Sequence, residues 1–200
     1  LTPDFYYTIE KPATAEFKDR GSKFLAYAYP IQSIEEFKSR LADLKKEHAK
    51  AVHHCFAYRL GIDKNNFRVS DDGEPSGTAG RPILRQIDSK ELANIVIIVV
   101  RYFGGTLLGV PGLINAYKNA ALLALLSAAI IQKPIFINYQ LEFNYELMND
   151  VMRIIKQYNC EVLKNEVQLF CLVEIGIPKN HLSEVAAKIN DLRSVNIKQC

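Results

Sequence analysis

The arrangement of apolar and polar positions divides the chain into alternating stretches, helical stripes and one long buried run. Phe5–Ile9 and Glu16–Tyr29 read as extended, the second alternating Phe24, Ala26 and Ala28 against Leu25, Tyr27 and Tyr29. Ser33 opens a helix: its hydroxyl can accept from the Glu36 N–H while Glu36 reaches back to the Ser33 N–H. Ile34, Phe37, Leu41 and Leu44 then recur at helical spacing under a solvated charged face. His53–Leu60 and Phe67–Ser70 predict two strands joined around Gly61–Asn66, with Asp-Lys-Asn-Asn turn chemistry. A short helix is expected near Pro82, a strand buried on both faces over Leu92–Val100, and a core helix over Pro111–Ile131. The first domain is therefore expected to be a mostly antiparallel sheet backed by three helices.

Gln132-Lys133-Pro134 breaks the pattern and reads as a linker, giving domains 1–133 and 134–200. Beyond it the order is strand Tyr139–Tyr145, helix Leu147–Tyr158, strands Cys160–Lys164 and Val167–Ile177, helix His181–Leu192 and strand Val195–Lys198. A βαββαβ order is the ferredoxin-like split unit. The fold class expected is α+β.

Composition changes this picture little: 48% hydrophobic and 24% charged residues are ordinary for a globular protein. The net charge of +3 is too mild to announce a nucleic-acid binder. It is unevenly placed, with 18 Lys+Arg against 14 Asp+Glu up to Lys133 and 7 against 8 after it, so an anionic partner should meet the first domain. Cys55, Cys160, Cys171 and Cys200 have no paired spacing and read as free thiols of a reducing compartment. The opening Leu1-Thr2-Pro3-Asp4 has no leader pattern. Ala120–Ile131 falls short of the roughly 20 residues that a membrane-spanning helix needs. A soluble cytoplasmic protein without a membrane partner is expected.

Two segments are candidates for chemistry. In Arg101–Leu113 a buried strand empties into a glycine-rich turn before a helix, whose free N–H groups and dipole suit an anion. The G-x-G-x-x-G and G-x-x-x-x-G-K-[ST] fingerprints both fail there, and the glycines can equally serve positive φ or close packing. In Asp71–Arg85, Asp71, Asp72 and Glu74 lack the alternation of a Ca²⁺ loop. Ser76 and Thr78 can cap the next helix, or act as nucleophiles if a base lies beside them. His53 and His54 point to opposite strand faces, and no zinc spacing follows Cys55. No metal or cofactor is expected. If the two segments meet, Arg81, Arg85, Arg101 and Lys118 would surround Gly104, Gly105 and Thr106 in one anion- or nucleic-acid-binding cleft. Asp71, Asp72, Glu74, Ser76, Thr78 and His54 would form a functional loop beside it.

The stretches Asp71–Leu84 and Val99–Gly109 resemble the two signature blocks of the YigZ/IMPACT family. Ser22-Lys23-Phe24 and His54-Cys55-Phe56-Ala57-Tyr58 are similar to further pieces of it, in the same order. That resemblance implies a first domain like domain 2 of ribosomal protein S5, a ferredoxin-like second domain, and a role in translation or its regulation. Where the family usually continues Leu-Gly-x-Gly-Gly-Leu-x-Arg-Ala-Tyr, this chain has Pro111 for a glycine and Asn115 for the arginine, so one cation is missing. The leading expectation is a non-catalytic protein that contacts RNA or the ribosome through its first domain. The alternatives are a regulator with a protein partner and no RNA, and a hydrolase using Asp71–Thr78. No platform of interleaved aromatic and basic residues points to sequence-specific RNA reading.

Overall fold

A computed structural model describes residues 3–63 and 65–200. Leu1 and Thr2 of the leader reading, and Lys64 of the expected turn, lie outside the described residues. The described chain is mixed α/β, with five α-helices and three sheets. It divides into two compact units, Tyr7–Gln132 and Lys133–Cys200, the latter taking in residues 3–6. Residues 3–6, expected in the first domain, thus group with the second unit.

From the start of the chain run β1 (Phe5–Ile9), β2 (Ala13–Asp19), β3 (Ser22–Pro30), α1 (Ile34–Glu47), β4 (His53–Leu60), β5 (Asn66–Ser70), α2 (Gly80–Ser89), β6 (Ile95–Tyr102), α3 (Gly109–Ser127) and β7 (Ile130–Pro134). Strands β2, β3, β6, β4 and β5 form one antiparallel sheet in that order, while β1 and β7 form a separate pair. The single stretch expected over Glu16–Tyr29 is two strands. Arg20 and Gly21 both take positive φ (42° and 81°) and turn the chain back with Asp19 opposite Ser22, the two-residue hairpin geometry that matches strand twist.

Period-two alternation separates two cores. Phe24, Ala26, Cys55, Ala57, Ile97 and Val99 pack beneath α2 and α3, whereas Phe56, Tyr58, Val96, Ile98 and Val100 pack with Phe37 and Leu44 of α1. Because helices cover both faces, all six residues Ile95–Val100 are fully buried. Each contributes on the order of 1.5–3 kcal/mol of burial. The strand expected from Leu92 begins only at Ile95, since Asn94 takes φ 54° and accepts the Gly61 N–H on its side chain at 2.8 Å.

Three helices differ at their ends from the sequence expectation. At α1, Ser33 accepts the Glu36 N–H (3.2 Å), but Glu36 reaches the Gln32 N–H (2.9 Å) rather than that of Ser33. At α2, the cap is neither Ser76 nor Thr78. The Asp71 carboxylate accepts from the N–H groups of Gly77 (2.8 Å), Ala79 (3.0 Å) and Gly80 (2.8 Å). The core helix spans Gly109–Ser127 instead of Pro111–Ile131: Ser127 Oγ turns back onto the Ala124 carbonyl (2.9 Å) and Ala128 is extended. The β-branched Ile130-Ile131 then continue as β7, so the expected linker is strand.

In the second unit β8 (Phe136–Phe143), α4 (Met148–Gln157), β9 (Glu161–Val167), β10 (Cys171–Pro178), α5 (Leu182–Asp191) and β11 (Val195–Gln199) follow one another. Its sheet is antiparallel in the order β11-β8-β10-β9. Leu141, Val173 and Ile175 pack against Val151, Ile155, Val185 and Ile189 of the helices.

One carboxylate satisfying three donors at the start of α2 sets an expected cost. Asp71→Ala lowers unfolding stability by about 2 kcal/mol, the upper end for a lost helix cap. Ser76→Ala, at an exposed position, changes it by less than about 0.5 kcal/mol. Urea melts of the two variants check both values.

Candidate functional site

The two glycine-containing segments meet because the strands preceding them are neighbours. β6 lies between β3 and β4, with Phe24 and His53 both in register with Arg101, so the chain after β6 emerges beside Ser22 and His53. Between the segments lies a cleft of about 350 Å³. Glu74 and Pro75 come from one side, Phe103, Leu107, Leu108 and Val110 from the other, and Val52 and His53 from the start of β4.

The floor of the cleft is an ion pair. Arg101 is 5% exposed; its guanidinium donates to Glu74 Oε1 at 2.6 Å and to Ser22 Oγ at 3.3 Å. The rings of Phe24 and Phe103 flank it, at 5.4 and 5.6 Å from Cζ. Tyr117 donates its hydroxyl to the same Glu74 Oε1 (2.8 Å), and the single Cys55 S–H is shared between the Asp71 carbonyl (3.0 Å) and Tyr117 Oη (3.3 Å). Burial, above all, pushes both the Cys55 thiol and the Tyr117 phenol far up, with the Glu74 charge acting in the same direction. Both therefore stay protonated, and a protonated buried thiol is inert.

His53 and His54 part to opposite faces, as strand alternation requires. His53 Nδ1 lies 2.7 Å from the Asp72 carbonyl, which can only accept, so Nδ1 carries the proton. Its Nε2 lies 3.8 Å from Glu74 Oε1. The Asp72 carboxylate accepts the His54 backbone N–H at 2.7 Å. The His54 ring is buried on the other face; burial pushes its pKa down, Asp72 opposing.

The remaining expected residues are distributed as follows. Thr78 is buried and donates its hydroxyl to the Pro75 carbonyl (2.6 Å), while Ser76 is exposed. Gly104, Gly105 and Thr106 form the exposed turn. Gly104 donates its N–H to Ser22 Oγ (3.2 Å), and a Cβ on it would stand 1.9 Å from the Gly21 carbonyl carbon, so only glycine fits. Arg81, Arg85 and Lys118 are exposed on α2 and α3 and do not line the cleft. The structure thus brings together the two segments but not the four cations; Arg101 alone is at the cleft, and its charge is matched by Glu74. Among the described residues no group of three or more His, Cys, Asp or Glu is placed to hold a metal. Reading residues one at a time missed Ser22, Cys55 and Tyr117 as members of this network. Their signal was position: Ser22 and Cys55 stand in the shorter similar pieces, and Tyr117 closes the stretch that follows the second block.

A family model described as the Impact N-terminal domain matches residues 20–125, which hold this whole network. The chain is 31% identical to IMPACT family member YigZ of Escherichia coli (strain K12) over 90% of its own length and 89% of that protein's. It is 38% identical to Protein IMPACT of Mus musculus over 57% of this chain and 37% of the other. A crystal structure of a hypothetical protein superposes with a TM-score of 0.81 at 29% identity, covering 98% of this chain and 97% of that one.

Two outcomes follow from the buried charges. Arg101→Met strands the Glu74 carboxylate and costs about 3–5 kcal/mol in urea melts; adding Glu74→Met recovers part of that loss, since a buried pair replaced by apolar groups is often near neutral. His54 contributes the opposite pH dependence to a salt-bridged histidine. Its native pKa lies below the ordinary 6.5, so the unfolded chain binds the extra proton. Its contribution to stability is complete above about pH 6.5 and is lost as pH falls toward the lower native value. Thermal melts between about pH 7 and 5 should fall more steeply for the unaltered protein than for His54→Gln.

Proposed function

Because the chain belongs to the IMPACT family, we propose that it is a non-catalytic, translation-associated regulatory protein that binds a protein partner through the cleft of the Tyr7–Gln132 unit. The observation that carries this reading is the composition of the cleft. Its walls are Val52, Phe103, Leu107, Val110 and Leu113, and its one guanidinium is already matched by a carboxylate. Leu107 is 83% exposed at the rim, and apolar groups open to water beside a concave surface are the usual marks of a protein-binding site. Catalysis by Asp71, Asp72 or Thr78 is disfavoured because those groups are engaged elsewhere. Asp71 caps a helix, Asp72 holds a backbone N–H, and the Thr78 hydroxyl donates to a carbonyl. We read the two units as an S5 domain 2-like and a ferredoxin-like domain; the β11-β8-β10-β9 order supports the second assignment. A cytoplasmic location goes with the free cysteines.

Contact with RNA or ribosomal RNA is the second reading, and a specific observation favours it. Arg81 and Arg85 are exposed one helical turn apart on α2, with Lys118 exposed on α3. Co-sedimentation with ribosomes separates the two. Leu107→Asp should weaken association at least tenfold, while the triple variant Arg81→Glu, Arg85→Glu, Lys118→Glu stays within twofold. The reverse pattern, with binding that collapses as salt is raised, transfers the function to RNA; no association at low salt removes both.

A further inference from the structure

The sheet of the second unit has an open edge. In the order β11-β8-β10-β9, β9 is an end strand, paired with β10 on one side and with no described strand on the other. All seven of its residues, Glu161–Val167, are exposed. Val162, Leu163 and Val167 are 43, 49 and 53% exposed, and Leu169 and Phe170 of the turn that follows are 88 and 50% exposed. Such an edge presents unpaired N–H and C=O groups in a row, and proteins usually blunt it with proline, with charge or by covering it. Glu161–Val167 holds no proline, and the charge of Lys164 is matched by Glu166 two residues on, at 2.9 Å. A bulge disturbs one end: the register with β10 slips between Glu174 and Ile175 and leaves Leu163 without a partner there. The strand is regular over Lys164–Val167.

Charge narrows what can occupy this edge. Two antiparallel copies of β9 related by a two-fold axis turn about a single residue, which then faces itself. Centred on Lys164 the pairing sets lysine against lysine, and centred on Glu166 it sets glutamate against glutamate. Centred on Val167 it places Glu166 opposite Gln168 and brings no opposite charges together. Centred on Asn165 it places Lys164 opposite Glu166 of the second copy, twice by symmetry, with Leu163 opposite Val167 at either end. Opposite charges and apolar pairs facing across strands are favourable, and like charges are not. Lys164 and Glu166 lie on the sheet face away from the helices, since their β10 partners Glu174 and Leu172 alternate with the core residues Cys171, Val173 and Ile175. Across the seam that face reads Glu174, Lys164, then Glu166 and Leu172 of the second copy, with no like charges directly opposite. We propose that the outer edge of β9 pairs with β9 of a second copy of this chain, antiparallel and centred on Asn165. The two four-stranded sheets then become one, and because the contact is the same patch on both copies it closes at a dimer.

Sedimentation velocity of the whole protein at low salt, from micromolar to millimolar chain, tests this. The unaltered protein should pass reversibly from monomer to dimer and go no further. Lys164→Glu sets glutamate opposite glutamate at both positions, and Glu166→Lys sets lysine opposite lysine. Each should raise the dissociation constant by about tenfold or more, and raised salt should narrow the difference. Mixed in equal amounts, the two variants pair glutamate only with lysine, and the dimer should return to within about threefold of the unaltered protein. Recovery on mixing requires both positions to face each other across one seam, so a loss of folding in either variant cannot imitate it. A monomer at every concentration overturns the proposal, as does a dimer that neither single variant weakens or that mixing fails to restore. Assembly that grows past two copies also overturns it, because β9 would then meet a different surface of its neighbour, such as the β11 edge.

Discussion

A guanidinium and a carboxylate held almost wholly out of water are what keep two distant parts of this chain in one place. Arg101 is the last residue but one of the central strand and Glu74 sits in a loop after the edge strand; their contact fixes the loop after β5 against the turn after β6. Removing two charges from water costs several kcal/mol each unless the remaining donors and lone pairs are met. Here Ser22 Oγ accepts a second guanidinium N–H, Tyr117 gives Glu74 Oε1 a second donor, and the faces of Phe24 and Phe103 flank the cation. Ser22 belongs to the β2–β3 hairpin and Tyr117 to α3, so the pair ties together four separate segments around one point.

That constraint also dictates the glycines. Ser22 Oγ accepts from Arg101 and from the Gly104 N–H. Both bonds at once draw the turn after β6 onto the β2–β3 hairpin until Gly104 and Gly21 touch backbone to backbone. The glycine-rich turn is consequently a packing device at Gly104, whatever it offers to a ligand. Of the two sequence readings of that turn, anion cradle or close approach, the second has a demonstrated physical cause at this residue.

Much of the architecture was legible because it follows from periodicity. The alternation through β3, the apolar run of β6 and the helical stripes of α1 and α4 each require a partner surface, and each found one. What periodicity cannot express is a single residue acting at long range. Nothing local distinguishes Asp71 as the cap of α2 from Ser76 or Thr78, which stand nearer the helix; the loop must first fold back before its carboxylate faces those N–H groups. Likewise Arg101 looks like a cation available to a partner until Glu74, 27 residues earlier, is seen to neutralise it. Charge counted along a chain is blind to such pairing, which is why the positive excess of the first part did not translate into a positive cleft.

Three acidic residues within four positions end up with three unrelated tasks. Asp71 stabilises a helix start, Asp72 fixes the backbone at His54 and orients His53 through its carbonyl, and Glu74 turns inward to the ion pair. Each task locks the loop by a different bond, and together they leave it little freedom to move. A catalytic loop needs a group whose proton or lone pair can change hands during turnover, and Asp71, Asp72 and Thr78 are fixed in structural bonds. A recognition loop needs the reverse, a rigid outline formed before the partner arrives, so that little ordering entropy opposes binding. The chemistry that made Asp71–Thr78 look reactive in sequence is, once folded, what bonds this loop to the helix start, to β4 and to Arg101.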